Sequence, residues 1–112
     1  MSFHMTESVT NGNMVLRLSG RVRGEGDQHL RERLEALFER QTPKIILDLS
    51  QAEFIDSHGL GIIVYFHKIL QNQKRELVMV NSNADPQSYM GRLIQITNLD
   101  KIIPYVTSVE AA

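Results

Sequence analysis

Asp56, Ser57 and His58 stand side by side and supply a carboxylate, a hydroxyl and an imidazole. Acyl-transfer catalysis uses these three groups, with a base facing the nucleophile and an orienting carboxylate behind the base. Adjacency on one stretch of chain argues against that arrangement. The nucleophile-elbow pattern is also absent, because Ile55 occupies the place of its first glycine. Ser57 has other chemistry open to it. An apolar periodicity begins just after it, so Ser57 or Asp56 can cap a helix there. A helix start also receives an anion well, since its first N–H groups lack partners and its macrodipole is positive. A phosphoryl group on Ser57 would add about −1.5 to −2 charges at that point. Gly59 and Gly61 leave the hydroxyl open to a kinase. Asp56 can orient the hydroxyl or position a metal-bound nucleotide, and would repel the phosphate once formed. A surface that turns from neutral to anionic ejects a partner packed on it with little change of fold.

The other candidates carry less. Gly24-x-Gly26 resembles the start of a dinucleotide loop, but His29 stands at the third glycine position. Asp48 falls where the acidic partner of such a loop is expected, about 20 residues on, yet the segment reads equally as a strand-to-helix turn. His4, His29, His58 and His67 show no paired spacing for a metal, and no metal or cofactor is expected. Arg21 and Arg23 do not join the basic residues of the next segment into a stripe, because Glu32, Glu35 and Glu39 interrupt them.

Composition removes whole classes. Lys and Arg number 12 against 13 Asp and Glu, a net charge of −1 with no electrostatic footprint for nucleic acid. Cysteine is absent, which excludes disulfide scaffolds and thiol catalysis and fits a reducing cytoplasm. The longest apolar run, Leu60 to Phe66, is far short of the roughly 20 residues of a membrane helix. Met1 to Met5 lack the regions of a signal peptide. With 112 residues, 42% of them hydrophobic, one domain with a real core is expected over residues 1–112. Met5 reads as a natural start, with residues 1–4 added for expression.

The elements that must hold Ser57 follow from periodicity. Glu7 to Val9 and Met14 to Leu18 flank Asn11-Gly12, a hairpin turn signal. Asp27 reads as the N-cap of an amphipathic helix over 28–40 that buries Leu30, Leu34, Leu37 and Phe38 and stops before Pro43. Lys44 to Leu49 reads as a strand buried on both faces, with Asp48 an oddity inside it. A mostly buried helix is expected over 56–72, carrying Leu60, Ile63, Val64, His67 and Leu70 on one face and a half-buried His67. Glu76 to Val80 is a further strand. Asp85-Pro86 marks a helix over 86–96, and Ile102 to Val106 a last strand. The order β-β-α-β-α-β-α-β implies an α/β domain: a mixed, mostly parallel sheet of 4–5 strands with an N-terminal β-hairpin and 3–4 helices.

Lys44-Ile-Ile-Leu-Asp-Leu-Ser50, Phe54-Ile-Asp-Ser-His-Gly-Leu-Gly61 and Leu77-Val-Met-Val-Asn81, with the closing Ile96-Thr-Asn-Leu-Asp-Lys-Ile102, resemble the STAS domain. More narrowly, they are similar to the bacterial anti-sigma factor antagonists. The likeness runs from about Met14 to Val106 and centres on Asp-Ser-x-Gly-Leu. It implies a non-enzymatic, cytoplasmic phospho-switch. Ser57 would be the phosphoacceptor and Asp56 its motif neighbour, with His58, Gly59 and Leu60 opening the recognition helix. The implied partners are an anti-sigma factor that is also a serine kinase of the GHKL type, and a PP2C-type phosphatase. The unphosphorylated form would bind the kinase and release its target. Two positions depart from the family pattern. His58 stands where a small residue is frequent, and Arg23 stands where the family often has an acid, so the partner-binding surface differs there. The alternative that the resemblance leaves is a STAS regulatory subunit of a membrane lipid-transport complex. A small hydrolase or nucleotide-binding enzyme is a third reading, without a facing catalytic pair to support it.

Overall fold

The computed structural model describes residues 3–83 and 85–112. Strands β1 (Phe3–Thr10) and β2 (Asn13–Val22) form an antiparallel hairpin. Its two turn residues, Asn11 and Gly12, sit at φ 53° and 81°, the positive values a tight hairpin demands. The chain continues through α1 (Glu25–Glu39), β3 (Lys44–Ile55), α2 (Ser57–Gln71), β4 (Glu76–Val80) and α3 (Tyr89–Thr97). A 3-10 turn at Leu99–Lys101, β5 (Tyr105–Val106) and a last 3-10 turn at Val109–Ala111 follow. The sheet order is β1-β2-β3-β4-β5, and every pairing after the hairpin is parallel. The order advances in one direction from β2 to β5, so right-handed crossovers bring the helices to one face.

That face holds the main core. Leu16, Leu18 and Val22 of β2, Ile45, Leu47 and Leu49 of β3, and Leu77 and Met79 of β4 meet the helices. The helices answer with Leu30, Leu34 and Leu37 of α1, Ile62, Ile63, Phe66 and Leu70 of α2, and Met90 and Ile94 of α3. Strand alternation sends Val15, Ile46 and Val80 to the opposite face, where Val106, Val109 and Ala112 pack on them. Ile45 to Leu49 is therefore buried on both sides, as its apolar run predicts. Asp48 falls on the second face. There the Arg17 Nε donates to its Oδ2 at 2.9 Å, and the Ser50 N–H donates to its Oδ1 at 3.0 Å. Burial alone would raise its pKa, but Ser50 and the Arg17 guanidinium outweigh it and hold the carboxyl below its ordinary value.

Several boundaries differ from the sequence expectation. The first helix starts at Glu25 rather than 28, and its N-cap is Gly24 at φ 57°, not Asp27. Only a residue tolerant of the left-handed region turns the chain there, and the earlier start leaves Asp27 free to point inward. The third helix starts at Tyr89, not at Pro86. Its cap is Ser88, whose Oγ accepts from the Gly91 N–H at 3.1 Å. Asp85 instead accepts from the Gln87 N–H at 2.8 Å, a local turn ahead of the helix. The last strand is confined to Tyr105–Val106, because Ile102 and Ile103 still close the 3-10 turn on Leu99 and Pro104 has no N–H to give the ladder. Strand β3 runs to Ile55, since β2 accompanies it throughout. In α2 the buried face is centred on Ile63, Phe66 and Leu70, while Leu60 and Val64 are half-buried; His67 is buried, not half-exposed. Of residues 1–4, Met1 and Ser2 lie outside the described residues; Phe3 is buried in the main core and His4 pairs with Ser19.

Candidate functional site

The site forms where β3 passes into α2, beside the end of β2. Asp56 N–H donates to the Val22 carbonyl at 3.1 Å, which ends the sheet pairing. Asp56 then turns the chain in an extended conformation and caps α2. Its Oδ1 accepts from the Gly59 N–H at 2.7 Å, and its carbonyl accepts from the Leu60 N–H at 3.0 Å. Of the two residues able to cap, Asp56 does so. Ser57 is thereby released from that role: it is the first residue of the helix and exposed. Within the helix no acceptor exists for the N–H groups of Ser57 and His58. They point out of the same end as the hydroxyl and favour an anion there.

Beneath this turn lies Asp27, which the sequence reading assigned to a cap. Its side chain is 2% exposed, and its Oδ1 has no hydrogen-bond partner. Its Oδ2 lies 3.4 Å from His58 Nδ1, and His58 itself is 68% exposed. Gly59 closes over Asp27 so tightly that a Cβ there would stand 2.8 Å from Asp27 Oδ1. Gly61, by contrast, faces open space. Burial first, and then the neighbouring Asp56 carboxylate, push the Asp27 carboxyl up to about 6, with His58 pulling the other way. The Asp27 carboxyl and the His58 imidazole thus meet in the same turn as Asp56 and Ser57. The signal for Asp27 was in the sequence: it falls on the helical stripe of Leu30, Leu34 and Leu37, where an acid must be buried and held.

The sign of the Asp27 effect follows from linkage. The folded chain holds a proton that the unfolded chain, with its ordinary value of 3.8, has released. This group therefore stabilises the fold below about pH 4, and that stabilisation is lost as pH rises through about 6. Asp27→Asn should remove that slope and raise stability near neutral pH. Denaturant unfolding from pH 4.5 to 7.5 checks it, and parallel curves for the two proteins would refute it.

Arg23 is exposed in the β2–α1 connection, next to Val22, and its carbonyl accepts from the Gly26 N–H at 2.9 Å. The structure brings Asp56, Ser57, His58, Gly59 and Leu60 to one turn and leaves Arg23 at its flank. No cluster of three or more metal-ligating side chains occurs among the described residues. A cavity of about 660 Å³ lies at the other end of the sheet, lined by His67, Lys44, Lys74, Lys101 and Ile103 among others, and includes none of the residues of the Ser57 turn. Burial keeps His67 below its ordinary pKa. No helix among the described residues is long and apolar enough to cross a membrane.

Residues 5–112 match the family described as the STAS domain. The anti-sigma F factor antagonist of Paenibacillus polymyxa is 31% identical over 94 residues, which is 83% of this chain and 77% of that protein. The crystal structure of an anti-sigma factor antagonist from Mycobacterium paratuberculosis superposes with a TM-score of 0.83 at 24% identity, covering 98% of this chain and 90% of the other. The phosphorylated form of the Bacillus cell fate determinant SpoIIAA superposes with a TM-score of 0.68 at 22% identity, covering 98% and 96%.

Proposed function

The chain belongs to the STAS domain family, and from that membership we propose that it is an anti-sigma factor antagonist switched by phosphorylation of Ser57. In the unphosphorylated state it binds an anti-sigma factor that is also a GHKL-type serine kinase, and the kinase's target goes free. Phosphate on Ser57 ends that binding, and a PP2C-type phosphatase restores it. The protein acts by binding in the cytoplasm and has no turnover of its own. Asp56, Ser57, His58, Gly59 and Leu60 form the docking turn, and Arg23 meets the partner at its flank.

One observation carries this reading. Asp56 supplies the cap, so Ser57 is exposed at a helix start and its hydroxyl bonds to no side chain or backbone group among the described residues. Two comparisons support it: the antagonist name of the Paenibacillus relative, and a phosphorylated form in a protein of the same fold. The test is site mapping. The chain is captured with its partner from the native cell, incubated with MgATP and analysed by mass spectrometry. Phosphate on Ser57 is expected. Phosphate found only on other residues defeats the proposal.

A further inference from the structure

The hydroxyl of Tyr89, on α3, lies against the residue that precedes the Asp56 cap. It accepts from the Ile55 N–H at 2.9 Å and donates to the Ile55 carbonyl at 3.0 Å. The place where this happens explains it. Strand β4 accompanies β3 only as far as Asp48, while β3 continues to Ile55. Asp56 N–H faces β2, so by strand alternation the polar groups of Ile55 face the side that β4 has left. One phenol, with one proton and free lone pairs, satisfies both groups. The Tyr89 ring is fixed in turn against Phe54, with centroids 5.9 Å apart, and the Arg21 guanidinium lies 5.0 Å from the Phe54 centroid.

The geometry points to Tyr89 as a positioning residue for Ser57. It replaces the missing strand at Ile55 and sets the peptide plane from which Asp56 and Ser57 project. This rests on the reading of Ser57 as phosphoacceptor and adds to it a route from α3 to the phosphorylation turn. Without the hydroxyl, Ile55 swings between orientations and Ser57 is correctly presented for only part of the time. A fraction of competent molecules raises the apparent KM of a kinase and leaves kcat nearly unchanged.

Tyr89→Phe tests this, because it keeps the ring against Phe54 and removes both hydrogen bonds. Leu93→Ala, on the same helix, is the control for weakened α3 packing. Amide hydrogen exchange at Ile55 should quicken about tenfold in Tyr89→Phe, with Leu77 of β4 and Leu34 of α1 unchanged and no such local effect in Leu93→Ala. With MgATP and a GHKL-type kinase that modifies the wild-type chain, kcat/KM should fall about fivefold, through KM. Unchanged exchange at Ile55, an equal local rise in Leu93→Ala, or faster exchange with an unaltered kcat/KM each overturns the proposal. Faster exchange at Ile55 in a protein whose wild-type Ser57 no kinase modifies supports the clamp and removes the phosphoacceptor reading instead.

Discussion

Ser57→Asp is expected to weaken binding to the anti-sigma partner about 100-fold, or about 2.7 kcal/mol, while Ser57→Ala binds like the wild type. The asymmetry follows from the turn. The hydroxyl caps nothing, because Asp56 accepts from the Gly59 N–H, so alanine removes no bond the helix needs. Aspartate adds a charge beside Asp56 and above the Asp27 carboxyl, in a patch that a docked partner would cover. An unpaired charge buried at an interface costs about 2–5 kcal/mol, which exceeds what the α2 dipole returns, about 0.3–1 kcal/mol at an exposed site. Calorimetric titration against the partner without ATP measures the difference. Equal affinity for the alanine and aspartate variants would remove the switch from Ser57.

Gly59→Ala should lower stability by about 2 kcal/mol, a fall in Tm on the order of 10 °C. Helix propensity alone predicts the opposite sign, since alanine is favoured over glycine by about 1 kcal/mol in a helix. Local crowding decides against propensity. The new methyl would meet Asp27 Oδ1 at 2.8 Å, Ile55 Cγ2 at 3.1 Å and Asp56 Oδ1 at 3.3 Å. Two of these atoms belong to groups held in place: Asp56 Oδ1 accepts from the Gly59 N–H at 2.7 Å, and the Asp27 side chain is 2% exposed. Gly61→Ala provides the contrast: its position is open, so it should gain about 0.5–1 kcal/mol. Asp27→Ala should recover part of the loss in the double variant, because the largest clash is then gone. Thermal unfolding of the wild type, the three single variants and the double variant tests the scheme. If the two substitutions add independently, Asp27 is not what Gly59 is small for.

Much of this site can be read in the chain itself. The alternation of strands and amphipathic helices is a local pattern, repeated at periods of 2 and 3.6, and it survives into the sheet order β1-β2-β3-β4-β5. Asp56-Ser57-His58-Gly59 is contiguous, so its place at a helix start needed no long-range information. Boundaries were less legible. Gly24 and Ser88, rather than Asp27 and Asp85, cap their helices, because several residues near each start can cap and the neighbouring packing chooses among them.

The sequence by itself determined the fold class, the helix that begins at Ser57 and the absence of thiol chemistry, since each depends on residue type and short spacing. Tertiary structure alone decided three things. It made Asp56 the cap and left the Ser57 hydroxyl free. It set Asp27, 29 residues earlier in the chain, beneath the same turn. It brought Tyr89 to the edge of β3 that β4 leaves unpaired. The physical reason is clearest for Tyr89 and the Ile55 peptide groups, 34 residues apart in the chain. A buried polar group must find its partner wherever the packed chain places one, and that place is set by strand length and helix crossing, which no local pattern encodes.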